Sequence, residues 1–123
     1  MRADIPKQYL PLLGRPVIVR TLERLCTFAP IRGVVVGIAE NDPQWRHLAF
    51  SNERFIGNYT GGASRAHTVL NGLVALSARA KDDDWVMVHD AVRPCVRHSD
   101  LEALVQAAAS SEDGALLAAS VID

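Results

Sequence analysis

The apolar run Trp85-Val86-Met87-Val88 stops abruptly at His89-Asp90, with Arg93 and Pro94 three and four positions beyond the acid. Strands covered on both faces read as near-continuous apolar runs, so this stretch predicts a buried strand of an α/β sheet. In such sheets ligands gather outside the carboxyl ends of the strands, which is where Asp90 and Arg93 fall. Pro94 cannot donate to a ladder; it closes the strand and stiffens the turn that carries the two charges. The same letters also describe a plain strand end with an incidental ion pair in a solvated loop, and this stretch alone leaves both readings open.

The flanking sequence repeats the pattern of strand and helix. Residues 1–15 form a loop punctuated by Pro6, Pro11 and Gly14, and Pro16 opens a helix to about Phe28 with Val17, Ile18, Thr21, Leu22 and Leu25 on one face. Val34–Ile38 reads as a fully buried strand, Asn41-Asp42-Pro43 as its end and the start of a short helix through about Phe50, and Arg54–Tyr59 as a weaker strand. A further helix carries Val69, Leu70, Leu73, Val74 and Leu76 on its apolar face. After the central stretch, Ser99-Asp100-Leu101-Glu102 is a capping box for a helix to about Ser110, and Ala115–Ile122 reads as another buried strand. Helices alternating with strands predict a parallel sheet with right-handed crossovers. No repeat, low-complexity segment or domain boundary interrupts it.

Composition narrows the partners. The chain has 123 residues, 49% of them hydrophobic, and a net charge of −1 with acids and bases interspersed, which fits one globular domain and argues against nucleic-acid or membrane-surface binding. Cys26 and Cys95 lack the spacing of a metal site and point to reduced thiols in the cytoplasm. No apolar run approaches a membrane span, and the N-terminus has no signal-peptide core.

A second candidate site is Thr60-Gly61-Gly62-Ala63-Ser64-Arg65, a glycine turn that feeds a helix. Glycines let the backbone approach a ligand closely, and first-turn amides favour an anion such as phosphate. It matches neither established phosphate-loop pattern, so an ordinary turn is the competing reading. Lys81-Asp82-Asp83-Asp84 lacks calcium-loop spacing and reads as a solvated turn. His47, His67, His89 and His98 are not spaced as a ligand cluster, and His89 reads as a hydrogen-bonded residue at a strand end.

Three loops together, Pro6-Lys7-Gln8-Tyr9-Leu10, Gly61-Gly62-Ala63-Ser64-Arg65 and His89-Asp90-Ala91-Val92-Arg93-Pro94, resemble in order and placement the 2-C-methyl-D-erythritol 4-phosphate cytidylyltransferase family. Gly14-Arg15-Pro16-Val17-Ile18 and the closing Ala119–Asp123 extend the resemblance over essentially the whole chain. It implies a three-layer Rossmann-like nucleotidyltransferase fold with a mostly parallel sheet, and transfer of a cytidylyl group from CTP to methylerythritol phosphate with magnesium. By the same resemblance Lys7, Asp90 and Arg93 are catalytic. Gly61, Gly62, Ala63, Arg65, Thr68 and Ala91 line the nucleotide site, Asp90 meets the metal, and the full-length family forms homodimers. A ribitol 5-phosphate cytidylyltransferase or a non-enzymatic nucleotide-binding remnant are the alternatives.

The departures set further expectations. The family opens with a strand and an AAGxGxRM loop, of which this chain resembles only the closing methionine, and it continues past Asp123 with a dimerising arm. The chain is therefore expected to be an internal fragment, marginally stable and without turnover alone. The absent strand belongs between Val34–Ile38 and Val86–His89, so these two stretches should not ladder directly and should lie about two strand spacings, roughly 10 Å, apart.

Overall fold

The computed structural model describes residues 4–121. It opens with a single 3₁₀ turn, Lys7–Tyr9, and a two-residue antiparallel ribbon, β1 (Pro11–Leu12) with β2 (Arg15–Pro16). Helix α1 (Val17–Cys26), strand β3 (Val34–Ile38), helix α2 (Pro43–Arg46), strand β4 (Phe55–Thr60), helix α3 (Arg65–Leu76) and helix α4 (His98–Ala109) follow. The entry loop is thus more structured than its prolines and glycine suggest. Leu13 and Gly14, at φ 52° and 86°, make the two-residue hairpin turn that needs left-handed backbone at both positions, and the Arg20 guanidinium donates to the carbonyls of Leu12 and Leu13.

Strands β3 and β4 pair in parallel, the α/β arrangement expected. Their register jumps from Val34↔Phe55 to Val35↔Gly57, one extra residue on β4. Gly57 carries the bulge at φ 145°, a conformation closed to side chains. The bulge turns Phe55 and Tyr59 to opposite faces. Val34, Val36 and Phe55 pack on the cluster of Tyr9, Ile18, Val19 and Leu22 beside α1. On the other face the Tyr59 ring lies between Gly37 and Gly72 of α3, where an added Cβ would come within 2.8 and 2.6 Å of its hydroxyl oxygen. Helices α1 and α3 therefore cover the two faces of the strand pair. A second cluster, Leu25, Phe28 and Leu101, docks α4 onto the end of α1 and takes in Met87; Val34 touches both clusters.

Several expectations are corrected. Trp85–His89 and residues 115–121 are not strands, because a strand exists only within a ladder and neither stretch has a ladder partner among the described residues. Met87 is half-buried on the second cluster, whereas Trp85, Val86, Val88, Leu116, Leu117 and Val121 are exposed. Val34–Ile38 is half-buried rather than fully buried; as expected, it does not ladder with residues 86–89, its partner being β4. Ile122, the end of the expected last strand, and Asp123 after it fall outside the described residues. Helix α3 leaves Leu70, Leu73 and Val74 exposed and buries Gly72 instead. Helix α4 starts at His98, one residue before the expected cap Ser99, with Arg97 at the N-cap and no side-chain cap. His98 is pinned there by a 2.9 Å bond between its Nε2 and the Arg24 carbonyl and by the Phe28 ring, so tertiary contacts override the capping signal. Among the described residues, no helix is long and apolar enough to cross a membrane.

Candidate functional site

The carboxyl ends of β3 and β4 open into a cleft of about 430 Å³ lined by Gly37, Ile38, Ala39, Glu40, Thr60, Gly61, Gly62 and Thr68. The glycine turn forms its wall through a chain of local bonds. Gly61 N–H donates to the Ile38 carbonyl at 2.8 Å and extends the ladder past Thr60. Gly62 N–H donates to Thr68 Oγ1 at 3.0 Å, and that hydroxyl donates to the Ser64 carbonyl at 3.0 Å. Ser64 caps α3, its Oγ accepting from His67 N–H at 3.1 Å. The helix therefore starts firmly beside the cleft, its positive end close by.

The glycine turn and the acid-to-arginine corner meet in one ion triad. Arg65, the first residue of α3, donates to Asp90 Oδ1 at 2.8 Å, and Arg93 Nε donates to Asp90 Oδ2 at 2.8 Å. Both guanidiniums are largely exposed and the carboxylate is 31% exposed, so two arginines held by one acid offer a net positive corner to solvent. The corner itself is fixed from below. Ala91 packs on the first cluster, the Thr21 hydroxyl donates to its carbonyl at 2.7 Å, and His89 Nε2 lies 2.9 Å from the Arg93 carbonyl.

Of the residues expected at the site, Gly61, Gly62 and Thr68 line the cleft and Ala63 lies exposed on the same turn. Arg65, Asp90 and Arg93 form the triad, and Ala91 supports it. Lys7 is exposed on the entry turn, and Tyr9 of that turn shares the first cluster with Ala91, so the entry loop and the corner rest on the same stretch of α1. Sequence reasoning missed Tyr9, whose hydroxyl donates to Asp42 at 2.5 Å, and Asn71, whose amide donates to the Thr60 carbonyl at 3.2 Å. Asp42 ahead of Pro43 carried a readable helix-cap signal; nothing local announced its tyrosine partner.

The bond from Arg93, then that from Arg65, hold the Asp90 carboxyl below its ordinary range. A folded-state pKa lower than the unfolded one gives stabilisation that is complete above the unfolded value of about 3.9 and is lost as pH falls through the depressed folded value. Asp90→Asn is therefore expected to lower stability slightly at neutral pH, the partners being exposed, and to converge with the unaltered chain below about pH 4, so that its acid limb is shallower. Urea midpoints of both chains between pH 6 and 2.5 check this; parallel acid limbs would contradict it.

Comparison with known proteins gives this geometry a context. The family model described as IspD, 2-C-methyl-D-erythritol 4-phosphate cytidylyltransferase, matches residues 1–123. The chain belongs to this family. It is 44% identical over 123 residues to the 2-C-methyl-D-erythritol 4-phosphate cytidylyltransferase of Vibrio vulnificus (strain YJ016), covering 100% of this chain and 52% of the relative. It is 48% identical over 124 residues to that of Pseudomonas aeruginosa PAO1, covering 100% of this chain and 53% of the relative. A solved structure titled 4-diphosphocytidyl-2C-methyl-D-erythritol synthase superposes with a TM-score of 0.81 at 28% identity, over 96% of this chain and 56% of that one. The chain thus spans about half the length of the cytidylyltransferase relatives it matches.

Proposed function

We propose that this chain is a single partial nucleotidyltransferase domain of a cytoplasmic enzyme that joins CTP and 2-C-methyl-D-erythritol 4-phosphate, giving CDP-methylerythritol and pyrophosphate for isoprenoid synthesis. One observation carries the reading: Arg65 of the glycine turn and Arg93 of the corner converge on Asp90 at the carboxyl edge of a parallel strand pair. An oxygen of the acceptor phosphate attacks the α-phosphorus in line, the new P–O bond forms, and the α–β bridge breaks to release pyrophosphate. No covalent enzyme intermediate is required, so positioning and neutralisation of charge carry the rate. Gly61, Gly62, Ala63 and Thr68 cradle the nucleotide, with Ala91 beneath. Arg65 and Arg93 offer planar forks to phosphate oxygens, and Lys7 adds a mobile positive charge.

Magnesium fits this donor set. Among the described residues no three His, Cys, Asp or Glu side chains gather; the corner itself offers the Asp90 carboxylate, held by Arg65 and Arg93. Magnesium commonly takes one or two carboxylates and completes its shell with water and substrate phosphates. When bound it neutralises phosphate charge; Asp90 would hold it as an arginine turns from the carboxylate to the nucleotide. The relatives' reaction extends over about twice this length, and a homodimer belongs to the same proposal.

Titration of the ¹⁵N-labelled chain with CTP and magnesium tests the reading. Amide shifts are expected at Gly61–Thr68 and Asp90–Arg93, and Arg65→Ala should weaken binding about tenfold through loss of a charge-assisted phosphate contact. Shifts scattered elsewhere, or none at millimolar CTP, would sink it.

A further inference from the structure

We propose that Asp42 is a positioning residue for Lys7, acting through the buried hydroxyl of Tyr9; the inference rests on the nucleotide reading above for what Lys7 does, and on geometry alone for the tether. Lys7 stands on a turn with little of its own to hold it. Tyr9 N–H donates to the Pro6 carbonyl at 3.0 Å and Leu10 N–H to the Lys7 carbonyl at 3.2 Å, and no side chain caps the turn. A lysine is a point charge on a flexible stem, so where its ammonium can reach depends on where its backbone is held.

Tyr9 supplies that hold. It is 7% exposed, its ring lies with Ile18, Val19 and Leu22, and its hydroxyl donates to Asp42 Oδ2 at 2.5 Å across 33 residues of sequence. The other oxygen, Oδ1, accepts from Gln44 and Trp45 N–H at 3.0 and 3.2 Å, so the carboxylate is fixed at the head of α2 before the tyrosine arrives. Burial first, then the bond to Asp42, push the Tyr9 hydroxyl well above its ordinary range, and it stays a donor throughout the working pH range. Asp42 follows Ile38, Ala39 and Glu40, the segment that walls the nucleotide cleft. The tether thus joins the lysine turn to the strand edge that forms the cleft. A carboxylate serving only as a helix cap has no need of the tyrosine.

Two substitutions separate tether from cap. Tyr9→Phe removes the hydroxyl and nothing else, and Asp42→Ser keeps a capping oxygen too short to reach the ring. The chain has two lysines, Lys7 and Lys81, so reductive ¹³C-methylation gives one reporter and one control, told apart from the labelled N-terminal amine by the lower pH at which that amine titrates. Both variants are expected to raise amide exchange at Tyr9 and Leu10 about tenfold relative to the amides of α1, the effect of one hydrogen bond to a charged group. Both should also abolish the CTP-induced shift of the methylated Lys7 while the Gly61–Thr68 amides still respond. Unchanged exchange at Tyr9 and Leu10 in Tyr9→Phe overturns the tether, as does a loss confined to Asp42→Ser, which would mark the cap as the cause. A Lys7 signal insensitive to CTP in the unaltered chain counts against the nucleotide reading instead, and the exchange data still decide the tether.

Discussion

Leu101→Ala is expected to lower the stability of the chain by about 2–5 kcal/mol, the range for deleting a fully buried leucine whose surroundings relax only partly. Leu101 is 1% exposed, the most deeply buried large side chain among the described residues, and it joins α4 to Leu25 and Phe28 at the end of α1. Its neighbours Met87, Val96 and Val105 are only partly buried and so are freer to move into the cavity, which places the loss toward the lower part of that range. Total stability of small domains is about 5–15 kcal/mol, and much of it would go with this one side chain. Met87 lies in the same cluster three residues before Asp90, so the corner should loosen with the core. Urea unfolding followed by far-UV circular dichroism measures the loss, and Leu116→Ala, at a position 80% exposed, serves as the control expected to stay within about 0.5 kcal/mol. Equal midpoints for the two variants would contradict the placement of α4.

The contrast between Leu101 and Leu116 also explains how much of the fold was legible in the sequence. Helix α1 was legible because its apolar spacing and its burial coincide, and β3 and β4 because short β-branched or aromatic runs lie between turn residues. Helix α3 was legible as a helix, but its periodicity misidentified the buried surface. The sheet meets it at Gly72, where the Tyr59 ring comes too close for any side chain, and the leucines to either side stay outside. Trp85–Val88 has the composition of a strand, yet composition describes a segment's own wish to be covered and cannot supply the neighbour that makes a ladder. The site divides in the same way. Each loop declared its chemistry locally through glycines, a lysine, an acid and arginines. The bond from Arg65 to Asp90 spans 25 residues and the one from Tyr9 to Asp42 spans 33, and such contacts are products of the fold that no local pattern encodes.

Gly62→Ala is expected to weaken CTP binding tenfold or more while costing the core little. A Cβ at this position would lie 2.3 Å from the His67 Cβ, 2.9 Å from its carbonyl carbon and 3.2 Å from its Cα. Two of these atoms are backbone in the first turn of α3, which Ser64 caps, so they cannot swing aside as the end of a long side chain would. Either the turn or the helix start must shift, at about 1–3 kcal/mol for an overpacked contact. The shift breaks the 3.0 Å bond from Gly62 N–H to Thr68 Oγ1 and displaces the turn that lines the cleft. If that strain is carried by the bound state, each 1.4 kcal/mol of it is a factor of ten in affinity. Gly61→Ala is the informative comparison. Its Cβ would meet Thr68 Oγ1 at 3.2 Å and Cγ2 at 3.4 Å, contacts relieved by a shift of a few tenths of an ångström that leaves the Thr68 hydrogen bonds in place, so its effect on binding should be several times smaller. Calorimetric titration of the three chains with CTP and magnesium, alongside their urea midpoints, ranks the effects. A Gly62→Ala chain that binds CTP as tightly as the unaltered one would show that the nucleotide does not sit against this turn, because no ligand packed on it could ignore its displacement.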